Sequence, residues 1–123
     1  MSFDLAVWEG VTPRTDVDAL VTFESLYAKH AEGGRSEEPS AAIRSFIAAI
    51  TATYPDLMDL SDDEIDDGVW SDGPLINNAS GPFFYFGIVW SRAGTVAPIV
   101  ARIATEHRLI CFDPQAGRCV RGE

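Results

Sequence analysis

Apolar and polar positions along this chain recur with two periods, and the places where one period gives way to the other predict its elements. Seven of the eight residues from Phe83 to Trp90 are aromatic or β-branched, types that suit a pleated surface; Gly87 is the exception. Strand side chains alternate between faces, so Phe83, Tyr85, Gly87 and Val89 point one way and Phe84, Phe86, Ile88 and Trp90 the other. Both sets are apolar, which predicts the central strand of a sheet covered on both sides. Gly81-Pro82 marks its start and Ser91 its end. A glycine inside a strand marks a bulge or the close approach of another group; the plainer expectation at Gly87 is that a neighbouring aromatic fills the space. Phe3 to Trp8 alternates in the same way and predicts a first strand, closed by Glu9-Gly10 and Thr12-Pro13.

Helical spacing appears three times. Thr15-Asp-Val-Asp18 is a capping-box variant that opens a first helix, with Leu20, Phe23, Tyr27 and His30 on one stripe, Leu26 beside it and Gly33-Gly34 at its end. A second helix is expected from about Pro39 to Tyr54, with Ile43, Phe46, Ile47, Ile50 and Tyr54 on one face and Pro55 as the stop. The third is expected from a Thr95 cap to His107, with Val96, Ile99, Val100 and Ile103 as its stripe, because a start at Ser91 would leave Pro98 breaking a backbone bond. Leu75-Ile76 reads as a short strand before a turn over Asn77 to Pro82. Leu109 to Phe112 reads as a fourth strand, and Arg118 to Val120 as its edge partner. Strand, two helices, hairpin, helix, strand predicts an α+β domain over residues 1–123. Its sheet would be mixed or antiparallel, of four to five strands, with helices mainly on one face. That is a ferredoxin-like, split β-α-β plan with an extra helix. Helices on one face would leave an apolar patch near Trp8 to be covered by the acidic loop, a second subunit or a partner.

Charge changes the picture in one place. The chain carries 19 acidic and 9 basic residues, a net charge of −10. Eight of those acids lie between Asp56 and Asp72: Asp56, Asp59, Asp62, Asp63, Glu64, Asp66, Asp67 and Asp72, and no Lys or Arg occurs between Arg44 and Arg92. Such a surface repels phosphate, which argues against nucleic acid, and attracts a basic protein. The N-terminal stretch lacks the basic region of a secretion signal, and no apolar run approaches a membrane span, so a cytoplasmic protein is expected. Cys111 and Cys119 are too few for a disulfide framework, although they could face each other across a C-terminal hairpin.

The chemistry-bearing residues offer little for catalysis. Calcium-loop spacing fails in the registers starting at Asp59 and at Asp63, so no metal or other cofactor is expected. Asp72 beside Trp70 and Asp113 beside Phe112 are candidate general acids or bases, but each also precedes Gly-Pro or Pro, where aspartate is ordinary turn chemistry. Serine-elbow, phosphate-loop and HExxH motifs are absent. Cys111 in a strand reads as core rather than nucleophile, and both histidines fall at helix C-termini, which accounts for them.

Four stretches, Ser2-Phe-Asp-Leu-Ala-Val-Trp-Glu9, Trp70-Ser-Asp-Gly-Pro-Leu75, the Gly81-Pro strand ending Val-Trp-Ser91, and Cys111-Phe-Asp-Pro-Gln115, resemble the frame of a family of small acidic bacterial proteins. The resemblance runs nearly end to end and brings no activity or site residues with it; some proteins of this type look like immunity partners of toxins.

The leading expectation is therefore a non-enzymatic protein-binding module. It would present Asp59, Asp62, Asp63, Glu64, Asp66, Asp67 and Asp72 to a basic partner, with Trp70 as aromatic anchor. The alternatives are a small enzyme or ligand-binding domain with a pocket lined by Trp8, Tyr85 and Trp90, and a homodimer built on the open sheet face.

Overall fold

In a computed structural model, which describes residues 2–32 and 37–120, five antiparallel strands form one open sheet. They are β1 (Ser2–Trp8), β2 (Ala79–Ser80), β3 (Phe83–Val89), β4 (Ile110–Asp113) and β5 (Arg118–Cys119), in the order β2-β3-β1-β4-β5. The helices are α1 (Asp16–His30), α2 (Ala41–Thr53) and α3 (Ala93–Glu106). The chain is thus α+β, as its pattern predicts.

The middle of the sheet differs from expectation. β1, not β3, takes the central place; it pairs along its whole length with β3 and through Ala6, Val7 and Trp8 with β4. β3 stays interior, one position over, flanked by the two-residue β2 and an isolated bridge from Trp70 to Ile88. The reason is connectivity: α3 carries the chain from β3 across β1, so the β4–β5 hairpin adds to β1's far edge. The strand ends at Val89, and Trp90 belongs to a short 3-10 turn, Trp90–Arg92.

Both faces of β3 are buried, as its two apolar sets require. Phe84, Phe86 and Ile88 join Leu5 and Val7 of β1 under α2 and α3, which contribute Ile43, Phe46, Ile50, Val96 and Val100. The opposite face carries Ala6, Trp8, Phe83 and Phe112, covered by α1 through Ala19, Phe23, Leu26 and Tyr27. Phe23 packs against Phe83, Tyr85 and Phe112 at 5.2–6.2 Å between ring centroids. Only α2 and α3 share a face, and α1 lies across the sheet from them. The patch expected to stand open near Trp8 is therefore covered by the protein itself. Leaving rings of this size in water would forgo about 2–3 kcal/mol each, which is why an aromatic helix stripe folds onto an aromatic strand face. A homodimer on an open sheet face loses its basis.

Local chemistry sets the element ends. Thr15 caps α1 by accepting the Asp18 backbone N–H at 3.1 Å. Within the stripe, Ala19 rather than Leu20 is buried; Leu20 is 38% exposed. The Gly33-Gly34 stop lies outside the described residues; α1 ends at His30, where the Ala31 N–H bonds to the Tyr27 carbonyl. Ser40, not Pro39, opens α2, since its hydroxyl accepts the Ile43 N–H. α3 begins at Ala93 instead of after Thr95, which leaves Pro98 inside the helix. Proline cannot bond the Gly94 carbonyl four residues back, and Gly94 lies on the exposed side of the helix, where a missing backbone bond costs less than in the core. Leu75–Asn78 is a 3-10 turn where a strand was expected, and strand pairing waits until Ala79.

Candidate functional site

The acidic segment is pinned from within. Asp56, buried, accepts the Met58 N–H on one carboxylate oxygen (3.1 Å) and the Leu75 N–H on the other (2.9 Å), so one side chain ties the two ends of the segment together. Gly73 is required beside it, because a Cβ there would sit 2.6 Å from Asp56 Oδ1. Further along, Glu64 accepts both the backbone N–H and the hydroxyl of Ser61, the reciprocal half of a capping box, and the chain then makes the 3-10 turn Ile65–Asp67. Those two bonds hold the Glu64 carboxyl below its ordinary pKa.

Between these pins Asp59, Asp62, Asp63, Glu64, Asp66 and Asp67 are all exposed, with Met58 67% and Ile65 46% exposed among them. Among the described residues the ion pairs are Arg44–Glu38 and Arg102–Glu106, and neither involves this segment. No group of three or more His, Cys, Asp or Glu among the described residues is placed to hold a metal ion.

Two sequence-predicted aromatic roles change. Trp70, expected as an anchor projecting from the acidic surface, is 1% exposed. Its ring meets Phe86 and Tyr54 edge-on and its Nε1 donates to the Tyr54 carbonyl at 2.9 Å. It supports the segment from beneath. The trio Trp8, Tyr85 and Trp90 does not form a pocket. Trp8, 1% exposed, is packed between Phe83 and Phe112; Tyr85 lies under Phe23 and Tyr27; Trp90 leans on Phe3 beside α3 and is 51% exposed. Tyr85 points to the α1 face of β3, whereas Trp90 lies past the strand's end at Val89, in the 3-10 turn that leads into α3.

Sequence reasoning missed a polar network centred on Asp4. Tyr85 OH donates to Asp4 Oδ2 (3.2 Å), Ser2 Oγ donates to Asp4 Oδ1 (2.9 Å), and Ser2 and Ser71 hydroxyls lie 2.8 Å apart. Ser2's one proton goes to Asp4, so Ser71 is the donor in that last pair. Burial and the Asp4 charge push the Tyr85 hydroxyl up to about 12. Gly87 lies directly beneath: a Cβ there would run into Ser2 Oγ and come within 3.1 Å of Ser71 Oγ and Asp4 Oδ1. The space at Gly87 is filled by hydroxyls and a carboxylate, not by an aromatic ring.

On the other edge of Asp4, Gln115 stands in for a neighbouring strand. Its Oε1 accepts the Asp4 N–H (2.6 Å) and its Nε2 donates to the Asp4 carbonyl (2.8 Å), while Asp113 Oδ1 accepts the N–H groups of Gln115 and Ala116. All four stretches that carry the family resemblance meet here, through Ser2 and Asp4, Ser71, Tyr85 and Gly87, and Asp113 and Gln115. The signal in sequence was Gly87 alone.

The remaining candidates have local partners. Asp72 accepts from Asn78 Nδ2 at 3.1 Å and Asp113 caps its turn. Ser80 Oγ accepts the Glu37 N–H and shares a hydrogen bond with His30 Nδ1 at 3.1 Å, a buried clamp between α1 and β2. His107 makes its ring bond to the Ile103 carbonyl. Cys111 faces the α2/α3 core, whereas Cys119 pairs with Phe112 and faces α1, so the thiols lie on opposite faces and no disulfide joins them.

Burial pushes the Cys111 thiol up to about 12. A raised pKa in the fold favours the protonated form, so the stabilisation is complete below the unfolded thiol's pKa, near 9, and is lost as pH rises towards 12. Iodoacetamide at pH 8 is expected to leave Cys111 unmodified in the native protein and to label it once urea unfolds the chain, read by peptide mass spectrometry. Native labelling at the unfolded rate would refute the buried thiol.

No family model, curated protein or solved structure matches this chain. No helix among the described residues is long and apolar enough to cross a membrane.

Proposed function

We propose that the protein is a non-enzymatic binding module that offers its acidic segment to a basic protein partner, of the immunity-inhibitor kind the sequence resemblance suggests. One observation carries the reading: Asp59, Asp62, Asp63, Glu64, Asp66 and Asp67 are exposed on a pinned segment and, among the described residues, unneutralised. Exposed Met58 and Ile65 add apolar contact area within the charge, the mixture that interface centres use. With Trp70 inside, the anchor role passes to these two side chains. Complementary charge raises association rates more than it deepens affinity.

The ferredoxin-like reading of the fold is supported by the antiparallel order β2-β3-β1-β4 with α2 and α3 on one face, to which α1 and β5 are additions. We place the protein in the cytoplasm, where two thiols stay reduced.

The test is capture from native lysate at low salt, followed by kinetics with whatever binds stoichiometrically. Neutralising Asp62, Asp63, Asp66 and Asp67 to asparagine is expected to slow association about 10- to 100-fold at low salt, with little difference left at high salt. Absence of any stoichiometric partner, or an association rate indifferent to the four substitutions, would remove the reading.

A further inference from the structure

A concavity that lies away from the acidic segment differs from it in bringing two arginines into its lining. A cavity of about 660 Å³ opens between Pro13–Asp16, α3 and β5. It shares Phe3, Ala97 and Pro98 with a second cavity of about 380 Å³ that ends at Trp90, so the two form one groove. Its far end is apolar. Trp90 presents half its surface there, tilted on Phe3 at 5.9 Å, and nothing lies within 4 Å of where a Cβ on Gly94 would stand.

The near end carries Arg14 and Arg118, two of the 9 basic residues in the chain. Neither forms an ion pair among the described residues. Two acids share that end, each with one oxygen on backbone N–H groups: Asp16 Oδ1 accepts the Cys119 N–H at 3.4 Å, and Asp113 Oδ1 accepts the Gln115 and Ala116 N–H groups. The donors without an ion pair among the described residues are the two guanidinium groups, at the mouth of a groove whose walls are Phe3, Pro98 and Trp90.

The geometry points to a ligand site for a small amphipathic carboxylate, its anionic head between Arg14 and Arg118 and its aromatic or short aliphatic body along Phe3 and Pro98 towards Trp90. Guanidinium matches a carboxylate with two parallel hydrogen bonds, which a point charge cannot do. Cavities of this size hold small molecules through a mostly apolar lining and a few placed polar groups. The site is separate from the acidic surface and stands whether or not that surface has a partner. It also moves the aromatic ligand pocket expected from the sequence: Trp90 belongs to it, while Trp8 and Tyr85 do not.

The probe is 3-phenylpropionate, titrated by calorimetry and by tryptophan fluorescence. Trp8 and Trp70 are each 1% exposed, so a ligand-induced fluorescence change reports Trp90. Saturable binding of the carboxylate is expected, with 3-phenylpropionamide and phenethylammonium at least about tenfold weaker, the loss that follows from removing a charge-assisted pair of hydrogen bonds. The double variant Arg14→Gln/Arg118→Gln should weaken binding by a similar factor without lowering the melting temperature, since both side chains are exposed. Gly94→Leu, on the open helix surface, should fill the apolar end and weaken binding with both arginines present. No saturation by about 10 mM carboxylate, equal binding of the neutral amide, or undiminished binding by the arginine double variant would each overturn the assignment.

Discussion

Trp70→Ala is expected to lower the stability of the whole protein by about 4 kcal/mol, the range for removing a large buried aromatic. For a chain of this size that is a fall in melting temperature on the order of 10–20 °C. The ring is 1% exposed and meets Phe86 at 5.9 Å and Tyr54 at 6.3 Å, while the Trp70 backbone forms an isolated β-bridge to Ile88. Its removal leaves a cavity between β3 and the residues that follow α2, and orphans the Tyr54 carbonyl. Trp70→Phe separates the two effects: most of the packing survives and the hydrogen bond does not, so a loss of about 1–2 kcal/mol is expected. Urea denaturation checks both. An alanine variant with native stability but weakened partner binding would restore Trp70 to the surface role its sequence neighbourhood suggests.

Asp56→Ala is expected to cost about 3 kcal/mol. Hydrogen bonds to a charged acceptor contribute roughly 1.5–3 kcal/mol each, and Leu75 is fully buried, so its N–H would be left without water or partner. The effect differs in kind from that at Trp70, because Asp56 joins two points 19 residues apart without filling space. Native-state hydrogen exchange should therefore speed first at the Met58 and Leu75 amides, with exchange in β1 and β3 following the global stability. Asp56→Asn keeps one acceptor oxygen and loses the other, and should fall about midway. Unchanged exchange at Leu75 in the alanine variant would mean that the carboxylate does not hold the segment.

These two residues also show where sequence and structure part. Trp70 and Asp56 stand in an acidic, turn-rich stretch, and local composition placed both on the surface. What draws Trp70 inward is a partner surface made by Tyr54 and Phe86, which no periodicity within 56–72 can reveal. Leu20 and Ala19 make the same point on a smaller scale: helical spacing admits either to the buried stripe, and the aromatic face of β3 accepts the smaller one. The Asp4 network was least legible, since Ser71, Tyr85 and Gln115 reach Asp4 across 67, 81 and 111 positions, the last two in direct hydrogen bonds. Gly87 alone hinted at it, as a gap in an otherwise aromatic strand.

Local pattern by itself determined the three helices, a strand with two apolar faces starting at Phe83, the α+β class and the concentration of carboxylates between Asp56 and Asp72, because each depends on residues within a turn or two of one another. Only the tertiary structure decided that β1 sits in the middle, that α1 rather than a partner covers the Trp8 face, that Trp70 is core, and that Arg14 and Arg118 share a groove with Trp90. Those outcomes depend on which distant surfaces bury one another, and burial between segments far apart in the chain leaves no period in either of them.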